Sequence, residues 1–166
     1  APGTMTIDVI ANQTSTTITN GGVAEFELSN PTIALQGSGT ADTPFILLHL
    51  NTSGFQNIQV AYKLRDIDGS ADNAVQPVAL QYRIGNAGNF SNVPTAYVAD
   101  ATTGPSLATL ETPVNVSLPA AADNQAQLQL RIITANASGS DEWVGIDDIA
   151  ISGTPATGVN LPIATT

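Results

Sequence analysis

Apolar residues in this chain recur every second position, and a chain patterned that way folds as sheets. Met5, Ile7 and Val9 alternate with Thr6 and Asp8, and Ile58, Val60, Tyr62 and Leu64 alternate with Gln59, Ala61 and Lys63. Val78, Leu80, Tyr82 and Ile84 alternate with Gln81 and Arg83, and Leu128, Leu130 and Ile132 keep the same rule. Side chains of a strand point to opposite faces in turn, so each run has one face to bury and one to leave outside. Phe45 to Leu50 is apolar on both faces, the pattern expected of a central strand covered on both sides. Turn residues separate the runs at Asn20-Gly21-Gly22, Gly37-Ser38-Gly39, Asp68-Gly69-Ser70, Gly85 to Asn89 and Ser138-Gly139-Ser140. No stretch has a helical period, and Ala120 to Gln127 has room for only a short turn. The expected fold is all-β, an antiparallel β-sandwich of jelly-roll type. One domain of 166 residues accommodates it.

Composition narrows the setting. Charged residues make up 11% of the chain, against about 25% in ordinary soluble domains. Four basic residues face fourteen acidic ones, and the net charge is −10. Such a field repels phosphate backbones and anionic membrane surfaces, which argues against nucleic-acid binding and membrane docking. Phe45 to Leu48, with Leu50 beyond His49, is the longest strongly apolar run and is too short for membrane insertion. Without cysteine, disulfide and thiol chemistry are excluded. Ala1-Pro2-Gly3 suits a mature start after small-residue cleavage, and the expected location is extracellular, at or beyond the cell surface. Sequons begin at Asn12, Asn51, Asn89, Asn115 and Asn136, acceptor positions by pattern alone.

The segment from Asp141 to Ser152, DEWVGIDDIAIS, concentrates the candidate chemistry. Read as an ideal strand, Val144 and Ile146 lie on one face, Ile149 and Ile151 on the other. A bulge at Asp147-Asp148 adds one residue and returns both pairs to one side. It also turns two adjacent carboxylates out of the ladder, where they repel unless a cation or proton lies between them. Structural Ca2+ is the cation expected, with Asp147, Asp148, Asp141 and Glu142 as ligands. The plainer alternative is a strand end carrying solvated acids. A second cluster, Arg65-Asp66-Ile67-Asp68-Gly69, begins like a calcium loop but lacks the closing glutamate of an EF-hand. Asp66 and Asp68 are candidate ligands for the same ion or their own. The competing reading is a polar turn with Asp66 paired to Arg65 or Arg131.

Catalysis finds little footing. His49 is the sole histidine and sits in an apolar strand without a nucleophile-elbow motif, so a packed or edge-lying strand residue is the expected role. Zinc needs cysteines or several histidines. Gly37-Ser38-Gly39 lacks the lysine and the following helix of a phosphate loop. No enzyme is expected.

The ending GIDDIAIS resembles that of MAM domains, extracellular jelly rolls that finish in an Asp-Asp-Ile strand and bind calcium. RDIDGSADNAVQPVALQYRIG, NFSNVP, VADATTGPSLATL and SDEWVGIDDIAIS together resemble an accessory domain of bacterial multimodular extracellular proteins, including some with nuclease-type catalytic domains. The likeness spans roughly residues 21 to 153. The MAM likeness implies a jelly roll, with Asp147 and Asp148 as calcium ligands. MAM cysteines are absent, which departs from the pattern and from receptor-like roles.

The sequence therefore divides into residues 1–20, an N-terminal extension or an edge or donor strand; 21–153, the sandwich; and 154–166, an extended tail. Two functions follow. One is a secreted, calcium-stabilised structural or adhesive block whose partners are copies of itself, joined through the end segments into a fibre or array. The other is a carbohydrate-binding accessory module of a secreted enzyme, with glycans as partners and Tyr97 and Trp143 among the aromatics available for stacking.

Overall fold

The computed structural model describes residues 9–18, 20–67, 74–103, 108–137, 139 and 141–157. Ten strands follow one another: β1 (Val9–Gln13), β2 (Gly22–Phe26), β3 (Thr32–Gln36), β4 (Phe45–Leu50), β5 (Phe55–Asp66), β6 (Val78–Ile84), β7 (Ser91–Asn92), β8 (Glu111–Ser117), β9 (Leu128–Thr134) and β10 (Val144–Pro155). Six form one sheet in the order β1-β2-β3-β10-β5-β8, and four form the other in the order β4-β9-β6-β7. Two 3₁₀ turns, Pro94–Ala96 and Ala120–Ala122, lie in connections. Most neighbours in the sheets are not consecutive in sequence, as in a jelly-roll sandwich, and among the described residues all pairings are antiparallel except β1 with β2.

The period-two pattern builds the core between the sheets. From β5 come Ile58, Val60, Tyr62 and Leu64, from β6 Val78 and Leu80, and from β9 Leu128, Leu130 and Ile132, all buried. Each large apolar side chain so buried contributes about 1.5–3 kcal/mol. A second cluster lies at β2 and β3, where Ala24, Phe26, Ala34, Ile67 and Trp143 are buried with Ile10, Ile18 and Leu28 against them. Phe26 and Trp143 meet edge to face, with centroids 5.2 Å apart. The described part of the N-terminal segment is thus taken up by its own domain, Val9–Gln13 as an edge strand and Ile18 as packing. At the other end β10 runs on through Pro155, paired with Phe55.

One expectation is corrected. Phe45–Leu50 is an edge strand, bonded only to β9. Ile46, Leu48 and Leu50 pack on the core, while Phe45 and Leu47 share the outer face, where the Arg131 guanidinium lies 5.4 Å from the Phe45 ring centre. An arginine stem and fork cover apolar surface that a second sheet was expected to cover.

The bulge at the acidic pair is present. Asp147 pairs with Lys63 and Ala150 with Ala61, so β10 carries one residue more than β5 across this interval. Asp148 supplies the kink with φ 52, a left-handed conformation that Asp tolerates better than most residues. Beyond the bulge Ile151 faces Val60 and joins Val144 and Ile146 on the core, whereas Ile149 remains 39% exposed. The extra residue restores the apolar phase for one isoleucine rather than both.

Candidate functional site

The acidic residues singled out from sequence fall into separate surroundings. Asp147 Oδ2 accepts from Arg65 Nη1 at 2.9 Å and from Asn30 Nδ2 at 3.1 Å, and Oδ1 accepts from the Asp148 backbone N–H. Asp148 Oδ2 lies 3.0 Å from Lys63 Nζ, which also reaches Glu111 Oε2 at 3.2 Å. These partners, Asp148 first and Glu111 second, hold the Lys63 ammonium above its usual pKa. The cations beside the paired carboxylates are therefore Arg65 and Lys63, brought there because β5 runs antiparallel to β10. Asp141 Oδ1 accepts from the Ala137 N–H at 2.6 Å and so shapes the turn before β10. Glu142 is buried, its N–H donating to Gln76 Oε1. Asp66 is buried at the end of β5 opposite Val144. Arg65 is bonded to Asp147, and Arg131 belongs to the other sheet. Asp68 lies outside the described residues. Among the described residues no three His, Cys, Asp or Glu side chains gather as a metal site would require.

Trp143 is no sugar platform. It is fully buried, with its indole N–H donating to the Ile18 carbonyl at 2.7 Å. Tyr62 is buried in the core as well, and Tyr97 is 57% exposed beside β6. An opening of about 270 Å³ at one end of the sandwich is walled by Leu50, Phe55, Ile58 and Ile151, with Thr52 and Ser152, and its lining is uncharged.

A second array, of polar and aromatic groups, lies on the outer face of the four-stranded sheet. Strand register aligns Leu47, Arg131, Gln81 and Asn92 on one rung and His49, Gln129 and Arg83 on the next. These positions alternate with the core residues Leu80, Leu128, Leu130 and Ile132, so they face outward. Arg131 Nε donates to Gln81 Oε1, whose Nε2 donates to Asn92 Oδ1 at 2.6 Å. Arg83 Nε donates to Gln129 Oε1 at 2.9 Å, its Nη2 reaches the same oxygen, and Gln129 Nε2 meets His49 Nδ1 at 3.3 Å. Two rows of planar groups thus cross the sheet.

Phe90 completes the array. Gly85 and Gly88, at φ 74 and 86, take the chain from β6 through a left-handed turn that side-chain-bearing residues rarely adopt. The Gly88 carbonyl accepts from Arg83 Nη1 at 2.9 Å. The ring of Phe90 then lies 4.3 Å from the Arg83 guanidinium carbon and 4.2 Å from that of Arg131. Such contacts are worth about 0.5–2 kcal/mol each, and they fix the tilt of both forks. Burial, and secondly the Arg83 charge, lower the pKa of Arg131 from its usual value.

None of these residues was read from sequence as part of one array; His49 and Arg131 were named there in other roles. The signal was there: Gln81-Tyr82-Arg83 and Gln129-Leu130-Arg131 share one spacing. Laid antiparallel, each glutamine meets the other strand's arginine.

No family model and no curated protein matches the sequence. Solved structures do match. One is a non-crystalline cellulose specific carbohydrate-binding module, CBM28, at 10% identity and a TM-score of 0.50, with 90% of this chain and 100% of that one covered. Another is a family 61 module in complex with β-1,4-galactotriose, at 12% identity and a TM-score of 0.47, covering 77% and 74%. A third, a Family 16 Carbohydrate Binding Module-2, gives 9% and 0.45, covering 80% and 86%. At 10% identity the likeness to the first of these, at a TM-score of 0.50, bears on the β-sandwich fold alone.

Proposed function

We propose that this domain is a non-catalytic carbohydrate-binding module of an extracellular protein, with its ligand lying across the outer face of β4, β9, β6 and β7. The observation that carries this reading is the double row of Gln81, Arg131, Asn92 and Gln129, Arg83, His49, set beside Phe90 and Phe45. Sugar hydroxyls both donate and accept, so a receptor needs amides and guanidiniums fixed in plane. Sugar C–H faces need apolar, preferably aromatic, surface beside them. This face supplies both, and the hydrogen bonds among its own side chains hold them in position before a ligand arrives. The fold shared with a cellulose-specific module supports the reading, as does the resemblance of residues 21–153 to accessory domains of bacterial extracellular proteins. His49 is engaged by Gln129, a positioning contact with no hydroxyl nucleophile in it.

Self-association through the end segments remains the other reading from sequence, and no structural observation favours it. Val9–Gln13, within the described part of that N-terminal segment, pairs within its own sheet. Screening the full chain against immobilised polysaccharides tests the proposal: retention on at least one glycan is expected, and the Gln81→Ala, Gln129→Ala double variant loses it. A protein that passes through every polysaccharide unretarded removes it.

A further inference from the structure

Fourteen acidic side chains are available to the four basic ones, yet the pairing is uneven. Lys63 and Arg65 are matched with Asp148, Glu111 and Asp147. Among the described residues no carboxylate lies within ion-pair distance of Arg83 or Arg131. Their partners are neutral: Gln129, Gln81 and the Gly88 carbonyl. Neutral oxygens orient a guanidinium without cancelling its charge. Both forks touch the same Phe90 ring, which places two like charges side by side. Arg131 also uses only its Nε, so four of its five N–H donors make no hydrogen bond among the described residues.

We propose that the carbohydrate taken by this face is acidic, bearing carboxylate or sulfate groups that Arg83 and Arg131 hold. This rests on the glycan-binding reading above and specifies its ligand. A neutral sugar laid over the face displaces water from two cations and returns only uncharged acceptors, so their desolvation is poorly offset. An anionic group restores the charge balance through bidentate, charge-assisted bonds, the geometry for which a guanidinium is suited. The net charge of −10 opposes capture of a polyanion at a distance. That field is screened within about 8 Å at physiological ionic strength, so contacts at the face decide affinity.

Calorimetric titration of the full chain tests this with five probes: an oligogalacturonate, its methyl ester, a sulfated galactan oligosaccharide, a neutral galacto-oligosaccharide and a neutral cello-oligosaccharide. The acid, the sulfate or both should bind at least about tenfold tighter than the uncharged probes, with Arg83→Gln and Arg131→Gln each removing about tenfold. Arg131→Lys, which keeps charge but not the fork, should fall between. Which anion binds separates a uronate from a sulfate ester. The wild-type comparison of acid with ester needs no variant, so a folding defect in one substitution leaves the test standing. Acid and sulfate both binding no tighter than the uncharged probes, or an anion affinity untouched by both arginine substitutions, overturns the acidic ligand and leaves the module a neutral-glycan binder. No binding to any probe overturns both readings.

Discussion

The indole nitrogen of Trp143 donates to the carbonyl oxygen of Ile18 across 125 positions of sequence, and together with the pairing of β1 on β2 this bond holds the N-terminal segment over the second core cluster. Trp143→Ala should lower stability by about 3–5 kcal/mol, and Trp143→Phe by less. Glycan affinity should be the same in Trp143→Phe as in the wild type, since the ring lies in a different sheet's packing. Urea melts and a titration of the phenylalanine variant check both halves.

Asp147 and Asp148 are neighbours with different duties. Asp147 and Arg65 are largely covered, at 20% and 13% exposure of their side chains, so Asp147→Ala leaves a half-hidden guanidinium without its counter-charge. The expected loss is about 1–3 kcal/mol. Asp148 matters through its backbone: Asp148→Gly suits φ 52, while Asp148→Val is about 1–2 kcal/mol worse than glycine. Chemical denaturation of the three variants ranks them. The calcium expectation is tested on the same proteins: an ion held by this pair gives a melting temperature that falls on chelation in the wild type and not in Asp147→Ala.

Alkaline pH should weaken the fold for two reasons with the same sign. Burial pushes the Tyr62 phenol above its usual 10.0, so the unfolded chain releases that proton first and stability falls as pH climbs past this value. The Lys63 ammonium is raised as well, so its contribution is full below 10.5 and is lost as pH rises through the folded value. Among the described residues the Tyr62 hydroxyl has no hydrogen-bond partner. Tyr62→Phe should therefore leave stability at neutral pH unchanged or raise it by about 1 kcal/mol, and should flatten the alkaline decline. Melts at a series of pH values above neutrality show whether the curve flattens.

Phe90 holds both arginines of the proposed site. Phe90→Ala should weaken glycan binding by about tenfold or more while costing the fold little, because the ring lies outside the core between the sheets. Phe90→Tyr should keep most of the affinity. Parallel titrations and thermal melts separate the two effects.

Much of the sandwich is written in the chain because burial imposes a period of two, and β5, β6 and β9 obey it. The bulge was legible for the same reason: an apolar phase that breaks at Asp147-Asp148 has few remedies. Phe45–Leu50 misled because its outer apolar residues are covered by an arginine, and pattern alone does not distinguish a guanidinium from a second layer of structure. Trp143 misled likewise, since a tryptophan directly after two acids reads as surface until Ile18 and Phe26 are seen against it. The paired cations were missed because Lys63 and Arg65 meet the acidic pair only through strand register. The Gln-Arg rows depend on that too, as neither strand alone specifies the other as its neighbour.

Mapping a bound oligosaccharide by nitrogen–proton correlation spectra tests the central claim most directly. The account predicts that the moving resonances are the backbone amides of β4, β6 and β9 and the side-chain groups of Gln81, Gln129, Arg83 and Arg131. Perturbations confined to the opening at Leu50, Phe55 and Ile151, or to β3 and β10 of the other sheet, would contradict it.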